Sequence, residues 1–229
     1  MSDTLLVLGG SFYHLEAIRA AGELGLRVIS ADGSADAPGH LRAHRSFAVE
    51  VYDVPALLEI CRSQNVRGVL ALTSSASFLS AVWICQALGL RSISPDAADT
   101  FADKLRFRQL VTELFLPHPQ THVLKQGMRI PAYLFDETRW VIKPDRAWAS
   151  RGVFICATLA DFERFYPITL SLSPTSFGML ERHITGQAGI AQGILRDGRV
   201  EPLWLMDRTS LDEPYTSLAS LRMPSRVPQ

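Results

Sequence analysis

Lysine is nearly absent from this chain of 229 residues: only Lys104, Lys125 and Lys143 stand among its 23 basic residues. Asparagine occurs once, as Asn65. The three cysteines, Cys61, Cys85 and Cys156, are odd in number, far apart and set in apolar surroundings. That pattern argues against a disulfide framework and predicts reduced core thiols in a cytoplasmic protein. Neither CxxC nor HExxH occurs, so two common metal signatures are missing. Charge of one sign is missing too: 23 basic residues balance 23 acidic ones, which leaves no global field for nucleic acid or an anionic membrane. No apolar run reaches the roughly 18 residues of a membrane span. Met1-Ser2-Asp3-Thr4 leads straight into a strand-like run rather than a signal-peptide pattern. What remains is an ordinary globular composition, 47% hydrophobic and 20% charged, long enough for one large domain or two small ones.

The first hundred residues alternate strands with helices. Leu5-Leu6-Val7-Leu8 is a continuous apolar run, as in a strand buried on both faces. Gly9-Gly10-Ser11 follows as a tight turn, and Leu15, Ile18, Ala21 and Leu24 then recur at helical spacing. Further strands are predicted at 27–30, 47–51, 68–72 and 92–94. Helices are predicted from Val54 to Gln64, with Asp53 as N-cap, and from Ala76 to Leu88, ending at Gly89. This order gives βαβ units and a parallel sheet, whose ligands sit beyond the carboxyl ends of the strands. Gly9, Gly10, Ser11, Asp32, Thr73 and Ser74 all fall there. One reading is a small-molecule site. A rival is a nicotinamide-cofactor site with Asp32 on a ribose, although the loop lacks GxGxxG. A third is sheet-edge turns without a ligand. His40 and His44 have a metal-ligand spacing, but Ala37-Pro38-Gly39 and interleaved arginines favour a solvated basic loop.

Trp140-Val141-Ile142-Lys143-Pro144, Asp145 to Gly152 and Val153-Phe154-Ile155-Cys156 read as strand, loop, strand. A lysine at a strand end beside a loop containing Ser150, Arg151 and Gly152 can present an ammonium and backbone N–H groups to one anion. An ordinary hairpin with a surface lysine is the alternative. Ahead of this stretch, a helix runs from about Asp99 to Leu114, with Asp103-Lys104 and Arg108 on it, and meets Leu116-Pro117-His118-Pro119. Behind it come Met179-Leu180-Glu181-Arg182-His183-Ile184-Thr185-Gly186-Gln187 and two strands around Arg196-Asp197-Gly198-Arg199. Two of the three lysines therefore fall at positions suited to phosphate, in a chain that otherwise prefers arginine. Glu181 ends an apolar strand and needs a donor partner there, with Arg182 or another arginine as the simplest one.

In this order the motifs resemble the ATP-grasp superfamily of ATP-dependent carboxylate ligases, and the similarity of order covers essentially the whole chain. The resemblance implies an α/β protein: a parallel Rossmann-like domain over 1–98, then a truncated α+β ATP-grasp domain over 99–229. The first lobe of the latter would span about 120–182 and an incomplete second lobe 183–229. It also implies that Lys104 and Lys143 hold nucleotide phosphates under the Ser150-Arg151-Gly152 loop. Glu181 would accept from the adenine amino group, and the backbone of His183 and Ile184 would read the adenine edge. Gln187 falls where the family usually has a glutamate on the ribose, and an amide can hydrogen-bond a hydroxyl. Gly9, Gly10, Ser11, Thr73 and Ser74 would hold a small carboxylate.

ATP is the implied cofactor, with Mg²⁺ held by ligands expected beyond residue 229. The implied reaction forms an acyl phosphate, which an amine or other nucleophile attacks. An incomplete lobe would expose apolar sheet face and open edges. A second copy of the chain or a complementing C-terminal fragment is expected to cover them. The rival reading is a catalytically inactive ATP-binding or partner-binding module.

Overall fold

The computed structural model describes residues 2–72, 74–147, 150–211, 213–214, 216 and 218–226. The chain divides into two compact units, Met1–Asp103 and Lys104–Gln229.

The first unit runs β1 (Thr4–Leu8), α1 (Leu15–Glu23), β2 (Arg27–Asp32), β3 (Arg45–Ala48), α2 (Val54–Ser63), β4 (Val66–Ala71), α3 (Ser75–Leu88) and α4 (Pro95–Ala102). Its four strands form one parallel sheet in the order β3-β2-β1-β4. The apolar run in β1 has a simple cause. Successive side chains leave a strand on opposite faces, and both faces are covered. Leu6 and Leu8 join Ile29, Leu57 and Ile84 in one cluster. Val7 joins Ile18, Ala21 and Val28 in another. Helix ends follow the cap chemistry: Asp53 accepts from the Ala56 N–H at 3.2 Å, and Gly89 closes α3 in the left-handed conformation at φ +64°.

Two expectations fail here. Residues 92–94 form no strand. Ser94 instead accepts from the Ala97 N–H at 3.2 Å and Pro95 occupies the first turn of α4, so cap chemistry overrides a short β-like run. The helix expected from Asp99 to Leu114 is interrupted at Asp103, whose backbone is extended (φ −107°, ψ 111°).

The second unit runs α5 (Lys104–Glu113), β5 (Thr121–Lys125), β6 (Trp140–Pro144), β7 (Phe154–Cys156), α6 (Leu159–Ser171), β8 (Phe177–Arg182), β9 (Ala188–Arg196), β10 (Arg199–Ser210) and β11 (Leu218–Arg222). Strands β5-β8-β6-β7 make one antiparallel sheet and β11-β10-β9 another. In the first sheet Leu124, Trp140, Ile142 and Leu180 pack with Phe162, Phe165 and Leu170 of α6. By alternation Val141, Lys143, Ile155, Met179 and Glu181 share the opposite face. A capping box starts α6: the Asp161 N–H donates to Thr158 Oγ1 at 3.1 Å, and the Thr158 N–H donates to the Asp161 carboxylate at 2.9 Å. The Pro- and Ser-rich stretch that follows Pro214 contributes β11, which pairs Arg222 with Asp207 and Leu221 with Arg208.

Candidate functional site

At the carboxyl edge of the parallel sheet the Gly9-Gly10-Ser11 turn is held by backbone bonds. The Gly10 N–H donates to Asp32 Oδ2 at 2.7 Å and the Gly39 N–H donates to the Gly10 carbonyl at 2.6 Å. The Ser34 N–H takes the other Asp32 oxygen at 2.9 Å. Asp32 thus latches two loops with its carboxylate, which explains its position without a ribose. Gly9 has φ +117°, and a Cβ there would fall 2.4 Å from the ring of buried His14. The His14 ring in turn lies 2.9 Å from the Ser11 hydroxyl. Because β1 and β4 are adjacent and parallel, Gly9–Ser11 and Ser74 leave the same edge of the sheet. Ser74 caps α3, accepting from the Ser77 N–H at 3.1 Å, and lines a hollow with Ser75, Phe78 and Phe101. Thr73 lies outside the described residues. His40 and His44 are spent on structure: one bonds the Ser30 hydroxyl at 2.7 Å and the other accepts from the Val28 N–H at 3.1 Å.

In the second unit, Lys143 and Glu181 meet as an ion pair on the sheet face opposite α6. Glu181 is only 5% exposed. Its partner on the other oxygen is Arg108 of α5, which donates to Oε1 through Nε at 3.0 Å and through Nη2 at 2.5 Å. The Thr121 hydroxyl lies 3.4 Å from the same oxygen. The expected arginine partner is therefore Arg108 rather than the exposed Arg182. The sequence carried one signal for it: Arg108 follows Lys104 by four residues, one helical turn along the same face.

Lys104 reaches the loop after β6, donating from Nζ to the Ala147 carbonyl at 2.8 Å and to the Asp145 carbonyl at 3.4 Å. Asp145 is buried, and its carboxylate accepts from the Ser173 and Thr175 hydroxyls, each at 2.5 Å, and from the Arg146 N–H at 2.7 Å. Farther along, the Gly152 carbonyl accepts from the Thr169 hydroxyl at 2.9 Å. The loop is anchored at both ends, and Ser150 and Gly152 toward its far end have positive φ. Arg151 lines a small hollow with Arg146 and Leu172. Neither Asp145 nor Thr169 stands out in the sequence, because their partners are distant in the chain.

His183, Ile184 and Gln187 line a cleft of about 670 Å³ with Arg139, Arg208 and Glu213. The His183 N–H donates to the Arg139 carbonyl at 2.8 Å. Ile184 is 70% exposed. Arg139 and Glu213 form an ion pair across the rim, and the hydrogen bond from Arg139 holds the Glu213 carboxyl below its usual range. Ile155, on the same sheet face as Lys143 and Glu181, also lines this cleft. The sequence-predicted residues of the second unit therefore fall into three groups: the Lys143–Glu181 pair, the Lys104-bound loop and the His183–Gln187 cleft.

Mg²⁺ finds no ligand set among the described residues, where no group of three His, Cys, Asp or Glu side chains is placed to hold a metal ion. Asp207 is already engaged by the Ser225 hydroxyl and the Arg226 N–H, and the Ser225 bond foremost holds its carboxyl low. No helix among the described residues is long and apolar enough to cross a membrane.

No protein-family model matches the chain. Among curated proteins, it is 30% identical over 226 residues to the formate-dependent phosphoribosylglycinamide formyltransferase of Burkholderia cenocepacia, covering 92% of this chain and 53% of that protein. The enzyme of the same name from Sulfurovum is 28% identical over 178 residues, 72% of this chain and 43% of the relative. The chain thus spans about half the length of the curated relatives it matches. Among solved structures, the ADP complex of N5-carboxyaminoimidazole ribonucleotide synthetase superposes with a TM-score of 0.80 at 12% identity, covering all of this chain and 59% of that one. An L-amino acid ligase from Bacillus licheniformis superposes with a TM-score of 0.76 at 18% identity, covering 95% of this chain and 53% of that one. At such identities the superpositions speak to the fold, a parallel α/β unit followed by two antiparallel sheets. The relatives and the superposed folds agree with the resemblance to the ATP-grasp superfamily that the order of motifs carries.

Proposed function

We propose that this chain binds ATP in its second unit and forms part of a ligase that joins a carboxylate to an amine or another nucleophile through an acyl phosphate. The observation that carries the reading is the convergence of Lys143 and Glu181 on one sheet face, in a unit where Lys104 holds the neighbouring loop. ATP bound there supplies the phosphoryl group that activates the carboxylate. The residues of the chain position and neutralise it. Lys143 and Lys104 offer compact positive charges to the phosphates, with Ser150, Arg151 and Gly152 folding over them. Glu181 accepts from the adenine amino group, the backbone of His183 and Ile184 reads the base edge, and Gln187 bonds the ribose. Gly9, Gly10, Ser11, Thr73 and Ser74 hold the small carboxylate at the sheet edge, which makes residues 1–98 the substrate domain and 99–229 the nucleotide domain. The names of the curated relatives make formate and phosphoribosylglycinamide the first carboxylate and amine to test.

Calorimetric titration with ATP, beside Lys143→Ala, tests the reading. Losing one charge-assisted contact of about 1.5–3 kcal/mol should weaken binding roughly ten- to a hundredfold. Unchanged affinity would remove Lys143 from the site.

A further inference from the structure

Glu181 is one buried carboxylate with two cations on it. Arg108 holds Oε1 through two N–H groups and Lys143 pairs with Oε2. The three side chains come from α5, β6 and β8, and the lysine and arginine side chains are only 20% and 19% exposed. A carboxylate out of water needs a partner, and one cation balances its charge. The second is an excess positive charge at the place where the proposed function puts phosphates. The two cations also differ in kind. A guanidinium presents a rigid fork of donors, whereas an ammonium is a point charge on a flexible four-carbon stem.

We propose that Arg108 is a positioning residue, the standing counter-ion of Glu181, which lets Lys143 pass from Glu181 to the phosphates of an incoming nucleotide without leaving a bare buried carboxylate. The inference rests on the nucleotide reading above and adds to it a charge exchange. Before binding, Glu181 holds Lys143 off the open face. On binding, Lys143 turns to phosphate and Arg108 alone stays on Glu181 and keeps it aimed at the base. Without Arg108, Lys143 becomes the sole charged partner of a buried carboxylate, and phosphate must compete for it. If the carboxylate is removed as well, nothing restrains Lys143.

The test is calorimetric titration with ATP and with inorganic tripolyphosphate, which has the phosphates and no base. The proteins are wild type, Lys143→Ala, Arg108→Gln, Arg108→Lys, Glu181→Gln and the Arg108→Gln/Glu181→Gln double variant. Arg108→Gln should weaken both ligands roughly ten- to a hundredfold. Arg108→Lys keeps the charge and should recover most of that loss. The double variant should bind tripolyphosphate within about threefold of Glu181→Gln alone, a suppression that a purely structural role for Arg108 would not produce. If Arg108→Gln fails to fold, the double variant, which leaves no buried carboxylate to strand, and Arg108→Lys still decide the matter. No binding by wild type, or binding indifferent to Lys143→Ala, overturns the nucleotide reading and this inference with it. Binding that needs Lys143, with an Arg108→Gln loss equally large in the Glu181→Gln background, overturns this inference alone.

Discussion

The two antiparallel sheets of the second unit are both rich in apolar residues, yet they are buried very differently. In β8, Gly178 to Glu181 are buried without a break, and β6 alternates buried and half-buried positions along its length. In β9 every residue but Ile190 is exposed. Trp204 and Leu203 of β10 stand 45% and 46% open. The first sheet has α6 against one face through Phe162, Phe165 and Leu170, and Arg108 from α5 reaching a carboxylate on the other. Among the described residues only strands follow β8, so β9 to β11 have no helix of their own. The difference teaches that apolar content does not make a core: a sheet needs a second layer, and the layer decides which side chains leave water.

The sharpest way to break this comparison is a pair of truncations measured by chemical denaturation. Leu180→Ala in the covered sheet should cost about 2–5 kcal/mol, through lost burial and the cavity left behind. Ile194→Ala in the open sheet should stay within about 0.5 kcal/mol. Equal losses would mean that the second sheet is covered in solution.

A smaller effect is expected at the start of the covering helix. Thr158→Ala removes the N-cap of α6 and should cost roughly 0.5–2 kcal/mol. It should also change the response to acid. Burial would raise the Asp161 carboxyl, but the hydrogen bonds from the Thr158 hydroxyl, the Thr158 N–H and the Ala157 N–H outweigh it and hold the group below its ordinary value. A carboxyl depressed in the folded state contributes stability above its unfolded value, near 3.9, and that contribution is lost as pH falls through the lower folded value. Thermal melts between about pH 5 and 2 should therefore show wild type losing more stability than Thr158→Ala, with the gap closing at the acid end.

The gentlest test leaves stability untouched. Burial, helped by nearby Asp161, pushes the Cys156 thiol of β7 up to about 12. Burial, helped by Cys85, pushes Cys61 up to about 11. Both should resist a thiol reagent near pH 8 in the native protein and react in denaturant. Rapid native labelling of Cys156 would show that the covered sheet opens.

Much of this was legible in the chain. The apolar run of β1, the caps Asp53 and Gly89, and the hairpin carrying Lys143 all rest on local rules of period, capping and turn chemistry, so they can be read from neighbours in sequence. Of the features that differ, one is a local capping effect and two depend on partners far away. A strand was expected at 92–94 because its residues are β-like, but Ser94 and Pro95 commit the stretch to a helix start. The strand β11 lies in a Pro- and Ser-rich stretch, and its pairing with Asp207 and Arg208 supplies what its own sequence does not. Arg108 lies 73 residues from Glu181.

By itself the sequence determined the alternation of strands and helices in the first hundred residues, the α/β class and the identity of the chemically distinctive groups, because periodicity, caps and a scarce lysine are properties of short stretches. Only the tertiary structure decided which groups meet. Strand alternation put Lys143 and Glu181 on one face, a helix brought Arg108 to the same carboxylate, and Asp145 became the buried anchor of the loop beside them. Those meetings rest on long-range pairing and on the need to neutralise a carboxylate removed from water, which no stretch of the chain settles alone.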